Sequence, residues 1–293
     1  MMSIHFLAAL SFFCLRAACL ETSFRTAAQV RHHRLQSSSA SSGRVAFVRG
    51  HQLPVSRVVV TLRPLGNHVQ KQLDVGRAGD VHSRIVLIRH GETESNVNGL
   101  FSWPGVRMTE TGRQQAVRAG QTLRQKQFKF DQAFTTGFIR AQESLASVFE
   151  GFQERVPTIE AEELNTRTFG QLERLTIKQA AEKYSPQQVR WWYGTDFTNV
   201  PDNAPPGGET LRDCDARAKS YYDEKIKPLV QSGKNILVVA HRNPIISIMS
   251  RIEGKSVEKT EGKWENAAPI VYEFNSAGQL LGRTVYDSKG NMI

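Results

Sequence analysis

A histidine and an arginine directly follow a short apolar run, and these two side chains are suited to moving a phosphoryl group. Arg89-His90-Gly91-Glu92 comes after the four apolar residues 85–88. The run predicts a buried strand, and open α/β sheets bind ligands at the carboxyl ends of such strands. A histidine there can attack phosphorus and carry the group, while an arginine binds phosphate oxygens bidentately. For so short a motif, a purely structural histidine is the alternative.

A second apolar run ends in the same way. Residues 235–240 predict another buried strand, and His241 follows it. If the two strands are neighbours in a parallel sheet, both imidazole rings reach one pocket. Together the two histidines indicate phosphoryl chemistry more strongly than either does alone.

The segments around these strands alternate between strand-like and helix-like patterns. This is typical of an α/β fold, a mostly parallel central sheet with helices on both faces. We predict further strands at residues 131–135, 270–274 and 280–286. We predict helices at residues 111–127, with Thr109 as N-cap, at 138–149 and at 211–230, where Pro228 disturbs the last turn. Residues 184–186 separate two short helices, of which Pro186 starts the second, and residues 196–208 form a Pro- and Gly-rich loop.

The positive charge is concentrated ahead of the predicted domain. The chain of 293 residues has a net charge of +10, but residues 1–82 contain ten Arg or Lys and three Asp or Glu, a net charge of +7, which leaves +3 for the rest. A nucleic-acid-binding domain carries its basic residues on its folded surface. We therefore predict no nucleic-acid partner.

The first 80 residues are typical of a targeting leader. Residues 1–20 include the apolar run 4–15, which is too short to span a bilayer and adequate as a signal-peptide core. Residues 21–80 predict a disordered, transit-like segment, because no acidic residue occurs between Glu21 and Asp74 and serines fill most of residues 37–42. This combination favours a plastid, reached through a bipartite presequence. A mitochondrial presequence, the secretory pathway and a basic disordered leader are the alternatives.

The cysteines indicate neither a disulfide nor a zinc site in the folded part. Cys14 and Cys19 lie in the leader, which leaves Cys214 alone. One thiol forms no internal bridge and no tetrahedral metal site, so we predict no bound metal. After residue 82 no apolar stretch approaches the length of a membrane span. We predict a soluble domain without a membrane partner.

Further motifs, in order along the chain, resemble the signature of the histidine phosphatase superfamily, and within it the cofactor-dependent phosphoglycerate mutases. The resemblance covers residues 84–280, within a predicted catalytic domain of residues 83–290, and implies the mutase-like, mostly parallel fold. The motifs are Arg89-His90-Gly91-Glu92, Asn96, Met108-Thr109-x-x-Gly112, Thr135-Thr136-x-x-x-Arg140-Ala141, Pro206-Gly207-Gly208-Glu209-Thr210-Leu211 and Ala240-His241-x-Asn243.

The resemblance implies the roles of four side chains at the phosphoryl group. His90 is the nucleophile that is phosphorylated in the resting enzyme, and it attacks in its neutral form. Arg89, Arg140 and His241 surround the phosphoryl oxygens and stabilise the charge of the transition state. A charge on a helix surface is the alternative for Arg140.

Other side chains are implied to bind the substrate. Asn96 and Asn243 donate hydrogen bonds to phosphate or substrate oxygens, and Ser102 lies on the substrate loop near Trp103. For Asn96 the alternative is a turn former. Arg242 stands where the family has glycine, so its side chain either crowds the pocket or adds a cation for the substrate.

The resemblance also implies the reaction. The substrate is a small phosphorylated metabolite, 3-phosphoglycerate, which is interconverted with 2-phosphoglycerate, and 2,3-bisphosphoglycerate supplies the first phosphoryl group. Many family members form dimers or tetramers, so a homo-oligomer is compatible with the resemblance.

Departures from the family pattern make the substrate the open question. Thr166 stands where the mutases carry a general acid-base glutamate, and threonine does not do that work near neutral pH. Glu162 or Glu163 reaches inward only after a local shift, so we expect solvated carboxylates there. Tyr193 and Gly194 replace the arginine pair that binds the substrate carboxylate. A phosphohydrolase acting on another phosphoester and a catalytically weakened homologue are therefore the alternatives to a mutase.

Overall fold

The computed structural model describes residues 81–193, 203–260, 265–287 and 289–293. The predicted leader segments, residues 1–20 and 21–80, lie outside the described residues, as do Gly194 and part of the predicted loop at 196–208. Among the described helices, none is both long enough and apolar enough to cross a membrane.

One sheet forms the centre of the described structure. Its strands are β1 (Ser83–Arg89), β2 (Gln132–Thr135), β3 (Thr158–Glu160), β4 (Ile236–Ala240), β5 (Pro269–Phe274) and β6 (Leu280–Val285). They lie in the order β3-β2-β4-β1-β5-β6. The first four pair in parallel, and β5 and β6 continue the sheet antiparallel. The prediction of a mostly parallel sheet is confirmed.

Helices cover both faces of this sheet, as predicted. The α-helices of the described structure are α1 (Glu94–Val97), α2 (Glu110–Gln125), α3 (Ile139–Phe152), α4 (Ile177–Lys183), α5 (Pro186–Tyr193), α6 (Leu211–Tyr221), α7 (Lys227–Gln231) and α8 (Arg242–Glu253). Thr109 caps α2 as predicted, because its hydroxyl accepts a hydrogen bond from Gly112 N at 3.0 Å. Pro186 starts α5.

The alternation of side chains along the strands divides the core into two layers. Ile85 and Leu87 of β1 pack in one buried cluster with side chains of residues 222–230 and of α8. Val86 and Ile88 point the other way and pack with side chains of α2 and α3. Since all four β1 residues are fully buried, a shift of register by one residue would exchange the two faces. In the observed register Arg89 lies opposite Ala240, so the end of β1 lies beside the end of β4.

The single helix predicted at residues 211–230 is wrong in its interior. Residues 222–226 form a π-helical turn between α6 and α7. Pro228 has no N–H to donate to the carbonyl four residues earlier, so it cannot lie in the interior of an unbroken α-helix. It lies instead in the first turn of α7, where that N–H is not needed.

Among the described strands and α-helices, three were not predicted: α1, β3 and α8. β3 is a three-residue edge strand whose side chains are all exposed, so it lacks the alternation of burial that marks a strand. Helix α8 directly follows β4, and His241 is its N-cap. The start of α8 therefore lies beside the carboxyl ends of β1 and β4.

A third buried cluster lies outside the two main layers. It joins Phe101, from the loop after α1, with Leu172, Ala180, Val189 and Trp192. Helices α4 and α5 supply most of these side chains, and Tyr193 ends α5 with its ring packed against Phe101 at a centroid distance of 5.4 Å.

Candidate active site

The two strand-end histidines lie side by side. β1 pairs directly with β4, with Arg89 opposite Ala240, and His90 N donates to Ala240 O at 2.9 Å. The ring centroids of His90 and His241 are 5.3 Å apart. Both residues are buried, with 6% and 1% of their surfaces exposed. The structure thus brings both rings to one pocket, as the strand pattern predicts.

The backbone sets the tautomer of His90. Its Nδ1 lies 2.8 Å from Gly91 O, and because a carbonyl oxygen only accepts, Nδ1 carries the proton. Nε2 is then the nitrogen with the lone pair. Burial, followed by the charges of Arg140 and Arg89, lowers the pKa of His90 well below its ordinary value. The neutral ring is the form that can attack an electrophile such as phosphorus.

Glycines allow the chain after His90 to pack tightly. Gly91 N donates to Ser144 Oγ on α3 at 2.9 Å. A Cβ on Gly91 would lie 2.3 Å from Gly112 O, and one on Gly112 would lie 2.1 Å from Glu92 O. Neither position accepts a side chain without moving backbone. The start of α2 is thereby held against the loop that carries the His90 ring.

Arg140 is a buried cation rather than a charge on a helix surface. Only 1% of its surface is exposed, and Nη1 donates to Trp103 O at 2.8 Å. Its Nε has no hydrogen-bond partner among the described residues. Burial, and then repulsion from Arg89, lowers the pKa of Arg140 to about 9. An unsatisfied buried donor on a cation favours an anionic ligand at this place.

Arg89, Arg242 and Tyr193 lie close enough to affect one another. Burial, and then the charge of Arg242, lowers the pKa of Arg89 to about 10, while Tyr193 opposes this shift. Burial also lowers the pKa of Arg242, and Tyr193 again opposes the shift. Arg242, at the start of α8, thus acts on Arg89 as a second cation, and Tyr193 acts electrostatically on both arginines.

A threonine holds the second histidine. Thr136 Oγ1 lies 3.0 Å from His241 Nε2, and Phe138 N donates to the same hydroxyl at 3.2 Å. Burial, and then the charge of Arg140, lowers the pKa of His241 well below its ordinary value. His241 Nδ1 is buried and has no partner among the described residues. Thr136 lies in a motif quoted above, but sequence reasoning assigned it no role.

Asn96 lies in the first turn after the His90 loop, where its oxygen caps α1. Asn96 Oδ1 accepts from Thr93 N at 3.2 Å and from Asn266 Nδ2 at 3.4 Å. Asn266 Nδ2 also donates to His90 O at 2.9 Å. Sequence reasoning missed Asn266. Its position before a predicted final strand could have identified it. An antiparallel strand such as β5 begins at the edge of the sheet where the parallel strands end, so the residues just before β5 lie near the two histidines.

The other predicted substrate residues are half-buried. Ser102 lies beside Trp103, whose carbonyl oxygen binds Arg140. Asn243 is in the first turn of α8, and its carbonyl accepts from Ser247 Oγ at 3.1 Å. The described residues contain no cluster of His, Cys, Asp or Glu suited to a metal ion.

Glu162 and Glu163 are exposed and lie against α6. Arg217 of α6 donates to Glu163 O at 2.7 Å and to Asn165 O at 2.7 Å. The charge of Glu163 acts on Arg217 and Tyr221. These contacts hold the segment that leads to Thr166 against α6, and they agree with solvated carboxylates at residues 162 and 163.

A different carboxylate acts electrostatically on Arg140. Glu173 is half-buried, and its Oε1 accepts from Phe169 N at 3.3 Å. Its charge opposes the lowering of the pKa of Arg140. Sequence reasoning missed Glu173, because nothing in its local sequence distinguishes it from neighbouring surface glutamates.

Comparison with known proteins shows which family and which relatives the sequence matches. The family described as histidine phosphatase superfamily (branch 1) matches residues 85–285. A 2,3-bisphosphoglycerate-dependent phosphoglycerate mutase of Cytophaga hutchinsonii is 38% identical over 194 residues, which are 66% of this chain and 88% of the relative. An enzyme of the same name from Mesorhizobium japonicum is 34% identical over 206 residues, covering 69% of this chain and 98% of the relative.

Solved structures share the fold. A putative alpha-ribazole-5'-P phosphatase from Escherichia coli superimposes with a TM-score of 0.60 at 22% identity, covering 71% of this chain and 99% of that chain. The alpha-ribazole phosphatase of Shigella flexneri has a TM-score of 0.54 at 26% identity, covering 66% and 92%.

Proposed function

Because this chain belongs to branch 1 of the histidine phosphatase superfamily, we propose that it is a phosphoglycerate mutase, which interconverts 3-phosphoglycerate and 2-phosphoglycerate through a phosphohistidine. The single observation that carries this proposal is the neutral His90 ring, with Nδ1 committed to Gly91 O and a pocket of buried cations around it. Mutases of 33–40% identity provide independent support.

The proposed phosphoryl step uses only groups described above. The lone pair of His90 Nε2 forms a bond to phosphorus as the bond from phosphorus to the ester oxygen breaks, and that oxygen takes up a proton. The cations Arg89 and Arg140 and the unpartnered Nδ1 of His241 stabilise charge on the phosphoryl oxygens. The hydrogen bond from Nδ1 to Gly91 O keeps the ring oriented throughout.

We propose 2,3-bisphosphoglycerate as the primer of His90. The described residues fit such a ligand, since Arg140 Nε and His241 Nδ1 are buried donors without partners. Arg242 and Tyr193 act electrostatically on Arg89, so a second anionic group near Arg89 would also meet the charge of Arg242. When bound, the primer would supply the first phosphoryl group.

The proton in this reaction needs a carrier, since Thr166 cannot serve as one near neutral pH. We infer that Glu173 is that carrier, because its carboxylate is half-buried and its charge acts on Arg140. Glu173→Gln should lower turnover by about 10²–10⁴-fold, the usual contribution of general acid-base assistance. The matched control is Glu162→Gln, an exposed glutamate on the α6 side, which should leave turnover unchanged.

Equal turnover in the Glu173 and Glu162 variants would reject Glu173 as the carrier. Thr166→Glu is the complementary test, and it should raise turnover by restoring a carboxylate at the family's position. No gain in a folded Thr166→Glu variant would mean that another group already moves the proton efficiently.

A phosphohydrolase is the second candidate, and one observation favours it. Tyr193 stands where the family carries the first arginine of its pair, so the substrate carboxylate meets fewer cations. Water would then accept the phosphoryl group from His90 instead of a substrate hydroxyl.

Phosphorus NMR distinguishes the candidates. The full chain is given 3-phosphoglycerate with a trace of 2,3-bisphosphoglycerate and followed for hours, with His90→Ala as the control. A mutase forms 2-phosphoglycerate without a matching amount of inorganic phosphate. Release of inorganic phosphate would identify a hydrolase, and neither product would indicate a silent homologue.

We propose delivery to a plastid, on the basis of the composition of residues 1–80 alone. Residues 1–60 fused to a fluorescent reporter should direct it into the plastid of a suitable algal host. A cytosolic, mitochondrial or secreted reporter would reject plastid delivery.

A further inference from the structure

The proposed phosphoryl transfer assigns no role to the hydroxyl of Thr136, which contacts His241. Thr136 follows β2, and no part of its surface is exposed. Its two hydrogen-bond partners in the described structure are Phe138 N, at 3.2 Å, and His241 Nε2, at 3.0 Å. A buried polar hydrogen without an acceptor is costly, so the direction of the second bond is determined by the first.

Phe138 N donates to Thr136 Oγ1 and occupies one of its lone pairs. If His241 Nε2 also donated, the hydroxyl hydrogen would have no acceptor among the described residues. If the hydroxyl donates to Nε2 instead, both atoms of this bond are satisfied and Nδ1–H is the one group left without a partner among the described residues, whereas the reverse arrangement leaves both the hydroxyl hydrogen and a bare Nδ1 without partners. The neutral ring of His241 then carries its proton on Nδ1.

His241 Nδ1, the nitrogen that carries the proton in this arrangement, is also the ring nitrogen without a hydrogen-bond partner among the described residues. His241 Nδ1 is buried without a partner in the described residues, and the ring lies 5.3 Å from that of His90. A protonated Nδ1 can donate to a phosphoryl oxygen, whereas a bare Nδ1 would present a lone pair and repel it.

We propose that Thr136 is a positioning residue, which holds His241 in the Nδ1–H tautomer so that the ring donates a hydrogen bond to the phosphoryl group. This inference rests on the proposed function for its consequence in catalysis, but the tautomer is a property of the resting protein. Partners that orient metal-binding histidines contribute about 10–100-fold to activity, and we expect an effect of similar size here.

The chain supplies a matched control one residue away. Thr135 Oγ1 is also buried, but it donates to Val239 O at 3.2 Å and not to a histidine. Thr136→Val and Thr135→Val thus each remove one buried hydroxyl from the end of the same strand. Thr136→Ser keeps the hydroxyl and should behave as the unmodified chain.

The test is a long-range proton–nitrogen NMR correlation of the full-length chain near neutral pH, with His241→Gln to assign the ring. We expect a protonated Nδ1 and a bare Nε2 in the unmodified chain, in Thr136→Ser and in Thr135→Val. In Thr136→Val this pattern should be lost. Addition of inorganic phosphate should shift the Nδ1 signal wherever Nδ1 is protonated.

The kinetic arm measures the rate at which 2,3-bisphosphoglycerate loads His90. Thr136→Val should slow it by about 10–100-fold, while Thr136→Ser and Thr135→Val stay near the unmodified rate. A protonated Nε2 in the unmodified chain, or an unchanged Nδ1 signal in Thr136→Val, would overturn the inference. If the unmodified chain is not loaded at all, the proposed function fails, and the spectra still decide the tautomer.

Discussion

Ionisable groups near the two ends of helix α8 differ in whether an opposite charge compensates them. At its start, Arg140 and the two histidines are buried, and the pKa values of all three are lowered by burial and by neighbouring cations. At its end, Glu253 accepts from Tyr272 Oη at 2.5 Å, from Arg283 Nη1 at 2.8 Å and from Lys255 Nζ at 2.9 Å.

The pKa of Glu253 reflects this compensation. Although burial opposes its ionisation, hydrogen bonds from Tyr272 and Lys255 and the charge of Arg283 lower the pKa of Glu253. The network ties the end of α8 to β5 and β6 and leaves its carboxylate satisfied. In the pocket, the corresponding negative charge is expected from a ligand. The difference teaches that one end of α8 is built for stability and the other for binding an anion.

Removal of a pocket cation should produce the largest effect. Arg140→Met should lower phosphoryl transfer by about 10²–10³-fold, the usual result of losing one charge-stabilising group. The free energy of unfolding should stay equal or rise, because an incompletely paired buried cation is replaced by an apolar chain. Turnover assays and urea unfolding check the two parts, and a clear loss of stability would contradict the comparison.

Anion binding should stabilise the pocket end. Inorganic phosphate at about 100 times its dissociation constant should raise the free energy of unfolding by about 2.7 kcal/mol. Thermal unfolding with and without phosphate measures this, with sodium chloride at equal ionic strength as the control. The Arg140→Met variant should gain much less, and an equal gain would place the anion elsewhere.

Disruption of the compensated network should affect stability alone. Glu253→Gln should lower the free energy of unfolding by about 1–3 kcal/mol, since the buried Tyr272 hydroxyl and Arg283 lose a charged acceptor. Turnover should remain as in the unmodified chain. Urea unfolding and the turnover assay together check this, and a loss of turnover at full stability would show that the two ends of α8 are coupled.

Acid should weaken the two ends in different pH windows. Below the ordinary histidine pKa of 6.5, His90 and His241 are protonated in the unfolded chain but stay neutral in the folded chain, because burial lowers their pKa values. The free energy of unfolding therefore falls as the pH falls. From pH 7 to pH 6 the loss should be about 1.4 kcal/mol for the pair. The contribution of Glu253 should be lost only as the pH falls below 4.5, the ordinary value of a glutamate.

Urea unfolding at pH 7 and at pH 6 measures the histidine contribution. His90→Gln should remove about half of the pH dependence, while Glu253→Gln should leave it unchanged in this window. If the free energy of unfolding falls equally between pH 7 and pH 6 in the unmodified chain and in both variants, the pH dependence comes from other titratable groups.

Much of the fold follows from local patterns, and the exceptions have physical causes. The runs at β1 and β4 are apolar without interruption, so burial on both faces is legible in the sequence. β3 lacks that pattern because it is an exposed edge strand. The π-helical turn before Pro228 was missed because the pattern of apolar residues still resembles a helix across it. The one sequence feature that indicates the interruption of the α-helix is Pro228, which has no backbone N–H.

The residues of the candidate site also fall into two groups, those that the sequence revealed and those that it did not. His90, His241 and Arg140 carry distinctive chemistry at strand ends and helix starts, so their types and spacing revealed them. Asn266 contacts the His90 loop and Glu173 acts on Arg140, and neither residue type is distinctive where it stands in the sequence. The choice between Glu163 and Glu173 depends on which loop packs against α6, and that contact is formed by Arg217.

The sequence by itself determined the family, the histidine pair and the absence of a glutamate at Thr166. These depend on residue type and order, which the chain states directly. Tertiary structure alone decided which ring nitrogens are free, that the arginines are desolvated, and which carboxylate faces them. Tautomers and pKa values depend on burial and on contacts through space, and residues distant in sequence make those contacts.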